Sequence, residues 1–190
     1  MYQMRQSRNR YLTIPNALST VRIALLVPLL FFFRAEMFVP TLLLFLVSAA
    51  SDALDGAIAR RWNMQSEFGR VLDPLADKVT FVTLIAILSR NVLPTVPVAA
   101  LIAMEVILLI MGTVTYFNPK MQDYFSLGAN IYGKLKTCGE TLLVLMLIVG
   151  HFFVISHVYA YSVMLHVVLV VCIACALKSI VNHVNIKPLF

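Results

Sequence analysis

Charged residues are scarce in this sequence. They make up 13% of its 190 residues, about half the share of a typical soluble protein, whereas 61% of the residues are hydrophobic. A soluble domain of this length has no room to bury so much apolar material, so the composition excludes a soluble globular protein and predicts a membrane domain. Apolar runs of about 20 residues, the length that crosses a bilayer as a helix, recur along the chain.

Cysteine is also scarce, and all three cysteines lie in apolar segments. Cys172 and Cys175 form a C-x-x-C motif, but no second pair of ligands accompanies it, as a zinc site would require. We therefore expect these thiols to pack as small hydrophobic groups. The N-terminus has no small-residue cleavage site after a short apolar core, so we expect no removable signal peptide.

Hydropathy predicts an all-α integral membrane protein with six transmembrane helices. We expect a basic interfacial segment at 1–13 and a single six-helix membrane domain over 14–190. All lysines and arginines except Arg34 and Arg90 fall on one side of this topology, which places both termini in the cytoplasm by the positive-inside rule. The predicted spans are 16–34, 39–61, 69–89, 95–116, 131–153 and 157–182.

Five of the nine acidic residues lie between positions 52 and 77, and four of these five are aspartates. Asp52 and Asp55 are three residues apart near the end of the second span, so they share one helix face. Asp73 and Asp77 are four apart at the start of the third span and again share a face. Because a short loop makes these spans antiparallel neighbours, the four carboxylates are expected at one depth near the cytoplasmic surface. Charges at membrane depth are costly and are functional by default.

Four carboxylates in a partly dry site must either be protonated in part or be neutralised by cations. Oxygen ligands favour hard ions, and Mg²⁺ in proteins commonly binds a few carboxylates together with substrate phosphates. The cluster therefore predicts one or two Mg²⁺ or Mn²⁺ ions and a phosphorylated ligand. Gly56 and Ala59 form a stripe of small side chains that suits either ligand approach or a close helix contact. Arg60 is suited to a phosphate or to the aspartates themselves.

Two other interpretations of the acidic cluster stay open. Aspartates can be solvated at the membrane edge or favoured by a helix N-terminus, which would account for Asp73 alone but poorly for four in register. A small divalent-cation transporter would also use carboxylates inside the membrane. That interpretation calls for ionisable groups near the bilayer midplane, whereas these aspartates lie near helix ends, and the two halves of the chain share no matching pattern.

The acidic stretch resembles the signature of the CDP-alcohol phosphotransferase (phosphatidyltransferase) family at each of its eight defined positions. The start of the chain is similar to the usual first span of that family, and six spans suit its fold. In this chain the signature reads Asp52-x-x-Asp55-Gly56-x-x-Ala59-Arg60, eight residues, then Gly69-x-x-x-Asp73-x-x-x-Asp77, and the start reads Ile14-Pro15-Asn16 followed by Arg22.

This resemblance implies a role for each position. The aspartates would hold two divalent ions against the diphosphate of a CDP-linked lipid, and Asp77 would also take the proton of an acceptor hydroxyl as general base. The hydroxyl would then attack the β-phosphate and release CMP. Family members are commonly homodimers, so we expect a homodimer here. We expect the protein to lie in a bacterial inner membrane, with a mitochondrial inner membrane as the alternative. The implied metal ligands are Asp52, Asp55, Asp73 and Asp77, and the implied nucleotide-binding residues are Asp52, Gly56, Ala59, Arg60, Gly69 and Asp73.

The acceptor alcohol is less closely indicated. The IPN start, the loop before Asp73 and the GKLKT segment look most like phosphatidylglycerophosphate synthases, with Lys134 and Lys136 directed to the phosphate of glycerol 3-phosphate. The same lysines also suit a positive-inside flank of the fifth span. Those synthases usually carry an Arg-Glu pair in the fourth span and a further arginine, whereas this chain has Met104-Glu105 and no arginine after it. Cardiolipin synthases share the core signature, which makes phosphatidylglycerol the alternative acceptor, and inositol-type or other alcohols stay open as well.

Three more ionisable residues lie at membrane depth. Glu105 and Glu140 are expected either to face the cavity or to bond to lysine or threonine partners. His166 lies in the middle of the last span and is expected to be a hydrogen-bonded packing residue. The sequence leaves the roles of the two glutamates open.

Overall fold

The computed structural model describes residues 14–61, 69–117, 131–153 and 159–183. These ranges contain six α-helices and no strand, so the predicted all-α fold is confirmed. The helix boundaries fall within two residues of the predicted spans. The helices are α1 (Ile14–Arg34), α2 (Phe38–Arg61), α3 (Gly69–Leu88), α4 (Thr95–Phe117), α5 (Ile131–Phe152) and α6 (Tyr159–His183). The expected interfacial segment 1–13 lies outside the described residues.

Four helices in the described ranges are long and apolar enough to cross a membrane on their own: α1, α4, α5 and α6. Among the residues that the structure describes, α2 contributes an apolar stretch over Phe38–Ser51, and Asp52 and Asp55 of the motif follow it in the sequence. The start of α3 likewise carries Asp73 and Asp77. The two helices that hold the motif are therefore the least hydrophobic, as expected for helices that line a polar site.

A tight turn joins α1 to α2. The amide of Met37 donates to the carbonyl of Phe32 at 3.0 Å, and the amide of Glu36 donates to the carbonyl of Phe33 at 3.1 Å. Glu36 has a φ of 56°, the left-handed conformation that closes a helix in a Schellman motif. The turn reverses the chain within three residues, so α1 and α2 are antiparallel neighbours.

The chain divides into two compact units, residues 1–79 and 80–190. In the first unit α1 packs against α2. The buried apolar side chains of α1 are spaced as one helical stripe. In the second unit α6 packs against both α5 and α4. The buried apolar residues include Leu26, Leu29, Phe33 and Phe45 in the first unit and Leu101, Leu143, Leu147, Leu165 and Leu169 in the second.

Glycines of α5 allow α6 to come close. A methyl group built on Gly150 would lie 2.6 Å from the ring of Tyr161, and one built on Gly139 would lie 2.9 Å from the sulfur of Cys172. Small residues at such contacts are a common device of membrane helices, because the bilayer supplies no hydrophobic force between them. Cys172 and Cys175 are buried free thiols, in agreement with the packing role expected for them.

Candidate functional site

The N-terminal half of α1 buries a polar face. Asn16, Ser19 and Arg22 are all buried, with Ser19 at 0% exposure, and the same face continues with Leu26 and Leu29. The spacing of three and four residues between them is that of one helix face. Burying polar side chains is costly unless they have partners, so this part of α1 indicates a polar interior in the first unit.

Asp73 on α3 is the partner of one of these buried polar side chains of α1. The buried hydroxyl of Ser19 donates a hydrogen bond to Oδ1 of Asp73 across a separation of 54 residues. An ionised carboxylate can only accept hydrogen bonds, so the serine must be the donor. Oδ2 of Asp73 takes no part in this bond. The contact ties the first turns of α1 to the start of α3.

Asp77 lies one helical turn after Asp73, as the motif spacing requires. Its side chain is 33% exposed, and its Oδ2 lies 3.7 Å from Nζ of Lys78. That distance exceeds a hydrogen bond, and the pair is partly solvated, so the lysine contributes little to holding the carboxylate. Gly69, which precedes Asp73 by four residues, is buried at the start of α3.

The other half of the motif lies in α2. Thr41, Phe45 and Ser48 form the buried stripe of this helix, spaced by four and then three residues. In the register of the helix, positions 52 and 55 follow the stripe at the same spacing. The helix backbone is described as far as Arg61, whereas the side chains expected to bind metal and nucleotide from α2 lie outside the described residues: Asp52, Asp55, Gly56, Ala59 and Arg60.

The donor chemistry at this site fits a hard divalent cation. Asp73 and Asp77 offer carboxylate oxygens from one face of α3, and Ser19 supplies a hydroxyl beside them. Oxygen ligands of this kind suit Mg²⁺ or Mn²⁺ rather than zinc or copper. Within the ranges given above, no three His, Cys, Asp or Glu side chains come together, since half of the predicted aspartate set falls outside them.

The second unit contains a different charged cluster, formed by Glu105, Lys136 and Glu140. Nζ of Lys136 lies 2.6 and 2.7 Å from the two carboxylate oxygens of Glu105 and 3.1 Å from Oε1 of Glu140. The three residues are 0%, 4% and 3% exposed, in the order Glu105, Lys136 and Glu140. The buried ammonium of Lys136 on α5 contacts Glu105 on α4, so this cluster links the two helices.

The two lysines that the sequence suggested for the acceptor phosphate have different surroundings. Lys134 is exposed, whereas Lys136 is buried and contacts both glutamates. The spacing of four residues between Lys136 and Glu140 was visible in the sequence as a helical ion pair. The contact with Glu105, 31 residues earlier, was not. His166 is bonded to its own helix, with Nδ1 2.6 Å from the carbonyl oxygen of Ser162.

Sequence reasoning missed Ser19 altogether. The serine belongs to none of the eight motif positions, and a hydroxyl in a membrane helix usually bonds to its own backbone. Its spacing of three residues from both Asn16 and Arg22 was the one available signal. That pattern marks a polar face but does not identify Asp73 as the partner.

The fold and the site together define a multi-pass membrane protein of helices, with paired aspartates at the ends of two of them. The family model for CDP-alcohol phosphatidyltransferases matches residues 12–178, and the chain belongs to that family. Members of the family generally depend on a divalent metal. The family resemblance seen in the motif is thereby confirmed.

Three relatives are informative. The chain is 42% identical to a CMP-forming cardiolipin synthase of Streptomyces coelicolor over 57% of this chain and 54% of that protein. It is 34% identical to a CDP-diacylglycerol–glycerol-3-phosphate 3-phosphatidyltransferase of Aquifex aeolicus over 66% of this chain and 70% of that protein. It is 33% identical to the Escherichia coli K12 protein of the same name, over 52% and 54%. The chain thus spans about half the length of two of these relatives.

Proposed function

We propose that this protein transfers a phosphatidyl group from CDP-diacylglycerol to the hydroxyl of an acceptor and releases CMP. The observation that carries the proposal is the placement of Asp73 and Asp77 on one face of α3, with Asp73 held by a buried hydroxyl of α1. Family membership and the names of the three relatives support the same reaction class.

The roles follow the motif. Asp52, Asp55, Asp73 and Asp77 hold two Mg²⁺ or Mn²⁺ ions, which when bound stabilise negative charge on the entering and leaving oxygens. Gly56, Ala59 and Gly69 line the cytidine pocket, and Arg60 binds the nucleotide, with Asp52 and Asp73 contributing to the same site. Few side chains are needed for covalent chemistry, since in-line displacement at phosphorus depends mostly on positioning and electrostatics.

Asp77 is the general base of the proposed reaction. Its carboxylate, 33% exposed, takes the proton of the acceptor hydroxyl as that oxygen attacks the β-phosphorus. The new bond joins the acceptor oxygen to this phosphorus, and the bond from it to the bridging oxygen breaks. CMP leaves with that electron pair, and the products are CMP and a phosphodiester of the acceptor.

Glycerol 3-phosphate is the acceptor we favour, with phosphatidylglycerol as the alternative. The GKLKT segment supports the first, and Lys134 is the exposed lysine of that segment. The absence of arginine next to Glu105, together with the 42% identity to a cardiolipin synthase, supports the second. Lys136 is less suited to a phosphate than the sequence suggested, because its ammonium contacts two carboxylates.

The membrane arrangement is part of the proposal. Both termini and the aspartate site face the cytoplasm, since all Lys and Arg except Arg34 and Arg90 lie on that side. A basic cytoplasmic face would also attract anionic lipids and phosphorylated substrates. The protein works as a homodimer, in a bacterial inner membrane or, as the alternative, a mitochondrial one.

The test is CMP release from CDP-diacylglycerol by the purified protein. Reactions contain Mg²⁺ or Mn²⁺ and one acceptor at a time: glycerol 3-phosphate, phosphatidylglycerol or inositol. Release that requires both metal and one acceptor supports the reaction and identifies the alcohol. Metal-dependent ion flux in proteoliposomes, without CMP release from any acceptor, would instead favour a cation transporter.

A further inference from the structure

The hydroxyl of Ser19 bonds to another helix, whereas that of the adjacent Thr20 bonds within its own helix. Thr20, the next residue, donates to the carbonyl of Asn16 at 2.9 Å, four residues back in the same helix. Thr41 and Thr113 make the same kind of bond in α2 and α4. This is the usual arrangement for a serine or threonine in a helix. The hydroxyl of Ser19 reaches a carboxylate on another helix.

We propose that Ser19 is a positioning residue for the divalent-metal site, orienting Asp73 so that its second oxygen is directed to the ion. This inference rests on the proposed function, since it takes Asp73 to be a metal ligand. Ser19 touches neither metal nor substrate in this assignment. It acts through the carboxylate that it bonds.

The physical basis is the division of the carboxylate into two oxygens. Oδ1 accepts the Ser19 hydrogen bond, and a bond from a hydroxyl to an ionised oxygen is stronger than one between neutral groups. This bond limits rotation of the carboxylate about its own side-chain torsions, and Oδ2 is left for the cation. Carboxylates that bind metal are commonly held by such outer partners.

The burial of Ser19 makes the arrangement rigid. The residue is 0% exposed and lies on a helix face that continues into packed leucines, so its own position is set by the core of the first unit. A donor fixed in this way holds its acceptor more firmly than an exposed hydroxyl would. Asp73 therefore has a preferred orientation before any ion binds.

The experiment measures Mn²⁺ binding to the purified full-length protein by electron paramagnetic resonance, with and without CDP. The variants are Ser19→Ala, Ser19→Thr and, as matched control, Thr20→Ala, which removes the neighbouring hydroxyl and its local bond. We expect Ser19→Ala to weaken Mn²⁺ binding roughly 10- to 100-fold, the usual effect of losing an outer partner. Ser19→Thr, which keeps the hydroxyl, should restore affinity to within a few-fold, and Thr20→Ala should bind Mn²⁺ like the wild type.

Thermal unfolding of each variant accompanies the titration. A Ser19→Ala protein that unfolds at the wild-type temperature but binds Mn²⁺ weakly supports the inference, because a purely structural serine would not change metal affinity alone. Unchanged Mn²⁺ affinity in Ser19→Ala overturns it. An equal loss in Thr20→Ala overturns it as well, since the effect would then belong to the helix in general.

Failure of this inference can be told apart from failure of the proposed reaction. If the wild type releases CMP with metal while Ser19→Ala keeps full Mn²⁺ affinity, the reaction stands and the role of Ser19 is wrong. If the wild type binds no Mn²⁺ and releases no CMP with any acceptor, both are wrong.

Discussion

The acidic side chains described in the two compact units differ in burial and in their partners. In the second unit, Glu105 and Glu140 are almost fully buried, and both contact the ammonium of Lys136 within 3.1 Å. In the first unit, Asp77 is 33% exposed, and its contact with Lys78 is 3.7 Å long. Asp73 accepts a bond from a neutral hydroxyl.

The difference distinguishes acids that contact a buried lysine from acids that keep part of their side chain exposed, and the proposed metal site uses the second kind. Carboxylates that contact a buried ammonium stabilise the contact between two helices, and removal of that ammonium would leave more uncompensated buried charge. The partly exposed carboxylate of Asp77 keeps oxygen accessible to a cation, which suits the metal role proposed above. Two sets of intramembrane acids that hydropathy cannot distinguish are thus separated by their partners.

The largest effect is expected at Asp77. Asp77→Asn removes the proposed base, so kcat for CMP release should fall by roughly 10²- to 10⁴-fold, the usual contribution of general base catalysis. Binding of the CDP-lipid should be largely kept, because the other motif residues remain. Turnover and CDP binding are measured on the same preparation. Wild-type turnover in this variant would contradict the role of Asp77.

The second-largest effect is expected on the stability of the second unit, residues 80–190. Lys136→Met leaves Glu105 and Glu140 without their cation, which should cost about 3–5 kcal/mol of unfolding free energy. The matched control is Lys134→Met on the same helix, an exposed position where the change should stay within about 0.5 kcal/mol. Denaturant unfolding in detergent measures both.

A further variant tests the cause of that loss. Adding Glu105→Gln and Glu140→Gln to Lys136→Met removes the two carboxylate charges that Lys136 contacts, so much of the stability should return. Continued instability of the triple variant would mean that Lys136 matters for packing and not for charge.

A smaller effect is expected where α5 meets α6. Gly150→Ala would place a methyl group 2.6 Å from the ring of Tyr161, whose hydroxyl donates to the carbonyl of Met146 and so resists movement. Overpacking of this kind costs about 1–3 kcal/mol. Gly112→Ala is the control, because a methyl group there would meet nothing within 4 Å. That variant should be neutral or slightly stabilising, and equal losses in both would contradict the packing argument.

The smallest effect concerns the acceptor. If Lys134 contacts the phosphate of glycerol 3-phosphate, Lys134→Ala should raise the KM for that acceptor by roughly two- to fivefold, as for an exposed ion pair. The KM for CDP-diacylglycerol should not change. Raised salt should reduce the difference between variant and wild type, because exposed charges are screened. An unchanged KM would leave Lys134 as a membrane-flanking charge.

Much of the fold was predictable because its signals are local. The hydropathy pattern predicted the ends of the six helices in the described ranges to within two residues, since in lipid each backbone polar group must be bonded within its own segment. The aspartate motif could also be recognised from the sequence, because spacings of three and four residues place side chains on one helix face whatever the surroundings. These features depend on neighbours in the chain.

Contacts between distant segments were not predictable in this way. Lys136 was assigned to a phosphate from its place in a basic segment, and only the structure brings it to Glu105. Glu105 and Glu140 had two open roles, and their contacts with Lys136 favour the structural one. In both cases the deciding partner lies on another helix.

The sequence by itself determined the membrane class, the six helices and the family to which the chain belongs, because periodicity and motif spacing carry that information within short segments. The tertiary structure alone decided that Ser19 bonds Asp73 and that Lys136 lies between two glutamates. The physical reason is that a side chain's charge state and orientation depend on what surrounds it in space, and helix packing brings together residues 54 and 31 positions apart.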